Sequence, residues 1–507
     1  MNTVVDFENE PTNLGGWVLA FSGGPDCAPE EFHPKVDEWS DIESRERTLH
    51  IAPRTPILVR PDGEFDYRVT EFLNRCLAFR GLASTSQETY AQEMRSWFGF
   101  LQTTDNIQWD EATCESFLSY RTWRLFTAEN EGRVTPATFK KSVPALKMFY
   151  DWAASKGYVE ESPIPKATLQ HSPGAIPKNA REQRHKWVTP RTYAMWRNVG
   201  LLDRVAIFDS DTGEVRADTD RVCGARGRNQ TRNVAFTDLM ITTALRNREL
   251  SHLLVPEVPS IAGEESLLPS TISKGSRERS WIVLSPEVLS NVDYYIRTVR
   301  RAQILTARAR GKYSDSHWIL TSSEGAPSGS VRMPSGALRA LDTFSVEERP
   351  RLLIDRSEGP EPLMLWLNET GEPMDADSWG NVFMKANNRV AREYVRLGVR
   401  SPSPRISAHS LRFTCALFTL LSFAQVIDER LGLDSTSPWI EANYAEAFDF
   451  VREFLGHADE GTTKGIYLKP VRDLRRLNGL GGERSLPSLM EFLARESHLV
   501  HNPMVEK

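Results

Sequence analysis

Between residues 66 and 160 the apolar side chains recur at helical spacing. Tyr90, Met94, Trp97, Phe98 and Leu101 fall at i, i+4, i+7, i+8 and i+11, one face of an amphipathic helix. A second face runs through Phe139, Val143, Leu146, Tyr150 and Ala153. Thr135 is placed to cap its start, Pro136 suits a first helical position, and Gly157 suits its end. The spacing predicts a small domain of about four helices over 66–161. The Pro-, Gly-, Lys- and Arg-rich stretch 162–186 predicts a linker.

Beyond the linker, residues 187–470 read as a second, mainly helical domain with one β feature. Apolar runs at 267–272 and 281–284 flank the turn Ser273-Lys274-Gly275-Ser276, the pattern of a hairpin. Trp379, Phe383, Ala386, Val390, Tyr394 and Leu397 predict a long amphipathic helix. The acid-rich segment 205–232 and the Arg-, Ser- and Pro-rich segment 306–362 read as inserted loops. Residues 1–65 read as a loosely structured extension with one or two strands, and 471–507 as a tail with a short helix near 487–499. The fold class expected is therefore mainly α with a small β-hairpin, in two domains.

Composition narrows the picture. The 507 residues hold 40% hydrophobic and 26% charged side chains, which excludes a fibre or a wholly disordered chain. The longest apolar run, 413–427, is shorter than the ~20 residues a membrane span needs and contains Thr, Cys, Ser and Gln, so it predicts a buried helix. Residues 1–30 carry five acids, no Lys or Arg and no apolar stretch of signal-peptide type. The five cysteines (27, 76, 114, 223 and 415) form no CxxC pair, which suits reduced thiols in the cytoplasm and argues against a zinc cage. The net charge of −6 is uneven. Residues 1–65 hold 5 basic and 13 acidic side chains, leaving the rest slightly positive. Charge alone neither demands nor forbids nucleic acid.

Four polar features remain, in order. Arg246 lies in Thr243-Ala244-Leu245-Arg246-Asn247-Arg248-Glu249-Leu250. Lys274 occupies the hairpin turn. His409 and Arg412 form a His-x-x-Arg, and Leu455-Gly456-His457 precedes Tyr467 by ten residues. Each has an ordinary reading alone. Arg246 with Glu249 is a common helical i, i+3 pair, worth ~0.3–0.5 kcal/mol at a surface. A hairpin lysine is usually solvated, and Tyr467 could be a half-buried aromatic with a bonded hydroxyl.

Taken together, the ordered set Arg…Lys…His-x-x-Arg…Gly-His…Tyr resembles the catalytic signature of the tyrosine recombinase (phage integrase) family. The resemblance covers roughly residues 67–470. It implies a SAM-like helical core-binding domain at 66–161, a catalytic domain at 187–470, and a C-shaped clamp of the two around duplex DNA. It further implies strand cleavage and rejoining through a 3′-phosphotyrosine on Tyr467. Arg246 and Arg412 would load the phosphate, and Lys274 would act as general acid. His409 and His457 would share the base and orienting roles. No metal or other cofactor is expected, since two arginines, a lysine and two histidines supply the cationic charge. The expected partners are double-stranded DNA and three further copies in a homotetramer, with accessory proteins and no membrane, in the cytoplasm. The chain departs from the family where Ala244 replaces a usual Gly, where Phe413 replaces a usual His, and in a slightly long Gly-His to Tyr interval. Candidate phosphate contacts are Lys140, Lys141, Lys147, Arg181, Arg184, Lys186, Arg226, Arg228 and Arg232, for which solvated surface charge is the equal alternative. Rival functions are a type IB topoisomerase-like nicking enzyme and a DNA-binding accessory or regulatory protein of the same fold without recombination activity.

Overall fold

The structure is a computed structural model that describes residues 16–23, 46, 48–49, 51–52, 54–77, 81–82, 84–165, 187–210, 213–223, 229–275, 278–433, 437, 439–456, 464, 467, 471, 490–491 and 493–495. The chain divides into two compact units, Met1–Gln183 and Arg184–Lys507.

The first unit begins with two strands, β1 (Val18–Phe21) and β2 (Pro56–Val59), paired antiparallel with Val18 opposite Val59. Helices α1 (Tyr67–Glu71), α2 (Ser84–Phe100), α3 (Cys114–Leu125), α4 (Pro136–Phe139) and α5 (Ser142–Ser155) follow. The α2 face predicted from spacing is the buried one: Met94, Trp97, Phe98 and Leu101 are excluded from solvent. At its centre Trp97 Nε1 donates to Tyr150 Oη (2.9 Å), which donates to the Trp109 carbonyl (2.7 Å). The extension is less loose than expected, because Trp17, Leu19 and Leu58 belong to this same aromatic core. The helix expected from Thr135 onward is two helices. Thr135 does cap α4, accepting from Thr138 N, but the chain breaks at Lys140-Lys141 before α5. Pro144 accounts for the break. It has no N–H to offer the Lys140 carbonyl, and its ring crowds that carbonyl.

The second unit is built on two buried helices. It opens with α6 (Pro190–Met195) and the hairpin β3 (Arg204–Asp209)/β4 (Glu214–Val222), then α7 (Gln230–Thr243) and the short α8 (Asn247–Ser251). The hairpin β5 (Glu265–Leu268)/β6 (Arg279–Ile282) pairs Ser266 with Trp281, and Lys274 lies in its connection. The strands are shorter than the apolar runs implied because Pro269 ends β5. Helices α9 (Pro286–Tyr295) and α10 (Arg301–Ala309) lead into five short strands: β7 (Ile319–Thr321), β8 (Ser330–Arg332), β9 (Leu338–Ala340), β10 (Leu352–Ile354) and β11 (Glu361–Pro362). Then come α11 (Ser378–Arg396), α12 (Ala408–Leu431) and α13 (Ala445–Leu455). By length and composition α12 could cross a membrane, but 78% of its most apolar window is buried inside the unit, so it is a core helix.

Two segments read as loops, 205–232 and 306–362, carry strands in their described residues. β3 and β4 pair antiparallel with Asp209 opposite Glu214, and Val215 and Ala217 pack on the main core. Residues 319–362 form a sheet in the order β11-β10-β7 and the hairpin β8/β9, with a small core of their own. Arg349, wholly buried, holds this region down by donating to both oxygens of Glu257 (2.8 Å each) and to the His252 carbonyl (3.0 Å). Most of the linker and most of the tail lie outside the described residues, but the described residues of the helix expected near 487–499 (490–491 and 493–495) are helical.

Candidate active site

Buried α7 ends at Ala244, which takes the left-handed conformation (φ 52, ψ 22) and closes the helix by donating its N–H to the Met240 carbonyl. A Gly is favoured there because a Cβ costs ~1–2 kcal/mol in that conformation. The reversal exposes the Ala244 carbonyl to Arg412, whose Nη1 donates to it. Two residues on, Arg246 caps α8. Its backbone N–H donates to Glu249 Oε2 (2.8 Å) and its Nη1 to Glu249 Oε1 (2.7 Å). Glu249 is only 1% exposed, so this is not the surface pair that the i, i+3 spacing offers as its ordinary reading.

The other anchor is the end of α13. Gly456 terminates it in the left-handed region (φ 60), and a Cβ there would stand 2.9 Å from Arg279 Cδ, so both space and backbone demand glycine. Three successive carbonyls at this end each receive one guanidinium. Phe454 O accepts from Arg279 Nη1, Leu455 O from Arg412 Nη2 (2.6 Å), and Gly456 O from Arg246 Nη2 (3.4 Å). The orphan carbonyls and partial negative charge of a helix C-terminus are thereby matched to three cations from α12, the start of α8 and β6.

Among the described residues the charges do not balance. Glu249 is shared, with Oε2 also accepting from Arg279 Nη2 at 2.6 Å. Burial pushes the Glu249 pKa up, but Arg279 and Arg246 outweigh it and leave the carboxyl below its ordinary value. Among the described residues Arg412 has only carbonyl acceptors, and burial together with the Arg246 charge pushes its pKa down to about 9. A pocket of fixed guanidinium groups short of counter-charge is suited to a tetrahedral oxyanion.

Tyr467 sits against this cluster. It is 3% exposed and stacks on Phe413 (ring centroids 4.8 Å apart, planes 19° apart). Burial raises its hydroxyl pKa, while the Arg412 and Arg246 charges pull it back down. Phe413, the departure from the family's usual His, is thus the ring on which Tyr467 rests.

The remaining expected residues are less tightly gathered. Lys274 is exposed and lines a cavity of about 430 Å³ with Arg279, Trp281, Phe454 and Gly456. His409, in the first turn of α12 behind the cap Ser407, lines a different cavity with Asn247, Arg405 and Asn387. His457 lies outside the described residues, as do Arg181, Arg184, Lys186, Arg226 and Arg228. Lys140 and Lys141 are exposed, and Lys147 is exposed and ion-paired with Asp151. Arg232 requires a correction. It is 5% exposed, donates to the Leu367 carbonyl (2.7 Å) and lies over the Trp379 ring, so it is an internal support and not a phosphate contact. Among the described residues no group of three His, Cys, Asp or Glu is placed to hold a metal ion.

No protein-family model and no curated protein matches the chain. Solved structures similar to it include XerH site-specific recombinase bound to palindromic difH substrate in a post-cleavage complex, at 13% identity and TM-score 0.40, covering 82% of this chain and 88% of that one. A second is the Tn1549 transposon integrase with circular intermediate DNA, at 12% identity and TM-score 0.40, covering 78% and 92%. A third is a lambda integrase dimer bound to a COC′ core site, at 10% identity and TM-score 0.42, covering 81% and 95%. All three likenesses lie at low identity and low TM-score, and what this chain can do rests on its own side chains.

Sequence reasoning passed over Arg279. The signal was present, because Arg279 and Trp281 occupy the same face of a strand, and a tryptophan in such a hairpin points inward.

Proposed function

We propose that this protein breaks and rejoins DNA strands in the manner of a tyrosine recombinase. The observation that supports it best is the gathering of Arg246 and Arg412 on adjacent carbonyls of the α13 end, with the charges of both acting on the buried Tyr467 hydroxyl.

In this reading a phosphodiester enters beside the guanidinium cluster, and its nonbridging oxygens take hydrogen bonds from Arg246 and Arg412. Tyr467 Oη attacks phosphorus, forming an O–P bond as the bond to the 5′-oxygen breaks. The phenolic proton passes to His409 or His457, and Lys274 protonates the departing 5′-oxygen. The bond energy is kept in the phosphotyrosine and returned when a 5′-hydroxyl attacks it. Charge accumulates on the nonbridging oxygens in the transition state, which is where prepositioned cations count most. A phenol buried as Tyr467 is must move, or be met by the strand, before it reacts, so DNA binding and attack are coupled. Both units contact the duplex in this reading, with affinity falling as salt rises, and exchange joins four copies on two duplexes.

The test is to incubate the full chain with fragmented DNA, denature, and sequence what stays attached. Covalent DNA carried by the wild type and lost in Tyr467→Phe, with filter binding retained, is the expected result. Attachment that survives Tyr467→Phe, or no attachment by the wild type on any DNA, overturns the proposal.

A further inference from the structure

We infer that Arg279 is a positioning residue which, by holding one oxygen of Glu249, keeps the Arg246 guanidinium from closing on both oxygens and leaves it turned toward an incoming oxyanion. The inference rests on reading Arg246 as an anion ligand and adds a residue to that site.

The argument is one of shared oxygens. Glu249 is buried, and of the two guanidiniums it holds it gives Oε1 to Arg246 Nη1 (2.7 Å) and Oε2 to Arg279 Nη2 (2.6 Å), Oε2 also accepting the Arg246 backbone N–H (2.8 Å). Elsewhere in the unit a carboxylate bonded by one guanidinium, with Tyr193 Oη and Asn291 Nδ2 as neutral donors, behaves differently. Asp238 receives Arg197 through both oxygens, with Nε to Oδ1 at 2.8 Å and Nη2 to Oδ2 at 2.9 Å, a closed and neutral pair. Without Arg279, Oε2 of Glu249 would keep only the Arg246 backbone N–H and be open to the Arg246 guanidinium as well. With Arg279 present, two guanidiniums divide the Glu249 carboxylate, and Arg246 keeps Nη2 on the Gly456 carbonyl, next to the carbonyl that holds Arg412.

Arg279 is not itself a ligand in this arrangement. Its side chain is 8% exposed and both terminal nitrogens are committed, one to Phe454 O and one to Glu249. Its Nε is buried without an acceptor, 3.3 Å from where a Cβ on residue 456 would lie. It is wedged beneath the Gly456 turn and reaches the anion only through its neighbours. Its chain position matters too, since β6 closes the hairpin whose connection bears Lys274.

The test uses sodium tungstate, a tetrahedral oxyanion of phosphate shape, titrated calorimetrically into the full chain and located by its anomalous scattering. The wild type is expected to take one tungstate between Arg246 and Arg412. Arg279→Met should weaken it roughly tenfold or more, the scale of removing one partly screened charge a few ångströms away. Arg279→Lys should recover most of that loss, and in an Arg246→Ala background Arg279→Met should add less than about twofold, because the effect runs through Arg246. Wild-type affinity in Arg279→Met, the full loss repeated in the Arg246→Ala background, or no tungstate at this place in the wild type would each overturn the inference. If Arg279→Met does not fold by circular dichroism, Arg279→Gln is read on the same scale. Tungstate behaviour as expected, without covalent DNA capture, would remove the recombinase reading and leave the role of Arg279 standing. Covalent capture with Arg279→Met indistinguishable from wild type would do the reverse.

Discussion

Two regions of the second unit bury arginines and do opposite things with them. At Arg197–Asp238 and Arg349–Glu257, wholly buried guanidiniums are each matched to a carboxylate through two nitrogens. At the end of α13, Arg246 and Arg279 share the carboxylate of Glu249, while Arg412 rests on carbonyls and has no carboxylate partner among the described residues. Arg300 and Arg232 also rest on carbonyls, but each serves alone, tying one strand or loop to a helix. A matched pair is a fastener whose charge is spent. A crowd of cations with one anion is a site held ready for another, and it stays folded because a helix terminus supplies the missing negative potential.

That contrast can be broken at either side, and the largest effects fall on the matched pairs. Arg197→Ala leaves Asp238 buried without its cation, with the neutral donors Tyr193 Oη and Asn291 Nδ2 remaining against it, and should cost ~3–5 kcal/mol in urea unfolding. Arg412→Ala should cost less in stability but lower single-turnover formation of the covalent DNA complex by ~10²–10³, with duplex affinity changed little. Should Arg412→Ala instead behave like Arg197→Ala, with stability lost and rate per folded molecule unchanged, the two regions are not different in kind. Gly456→Ala tests the anchor. Strain in the left-handed region of ~1–2 kcal/mol, together with the contact on Arg279, should lower the unfolding midpoint and the cleavage rate together. Ala244→Gly is the mild counterpart. Relief of the same strain is offset by losing a buried methyl worth ~0.8 kcal/mol, so stability should change by less than about 1 kcal/mol.

The smallest effect is in acid. The depressed pKa of Glu249 means that the stability it contributes is complete above its ordinary value of 4.5 and is lost as pH falls through the lower folded value. Urea midpoints of wild type and Glu249→Gln should therefore differ at neutral pH and converge as the pH drops below 4.5. A gap that widens on acidification would contradict the ionised, shared carboxylate.

Much of the helical framework could be read from periodicity. The faces of α2, α5 and α11 were legible because each packs one stripe against a core, which is what i, i+3, i+4 spacing records. The strands of 204–222 and 319–362 were hidden by their polar outer faces. In β4 only Val215 and Ala217 mark the inner side, among Glu, Arg and Asp. Arg246, Arg412 and Tyr467 stood out as members of an ordered motif, and the structure brings them together. Arg279 did not, because its meaning lies in partners 30 and 175 residues away, a relation that no local pattern carries. Arg232 misled for the opposite reason. Its neighbours in sequence are polar, while its neighbours in space are Trp379 and the Leu367 carbonyl.

The β1/β2 ribbon changes where the first unit can be cut. Its strands come from segments more than thirty residues apart, yet Trp17 rests on Phe98 with ring centroids 5.1 Å apart, and Leu19 and Leu58 close over the same cluster as Val69 and Phe72. A shortened fragment starting at Asp66, the edge that hydropathy alone marks, would uncover that roof and present aromatic surface to water. Proteolytic trimming or domain dissection should therefore respect a boundary ahead of Trp17.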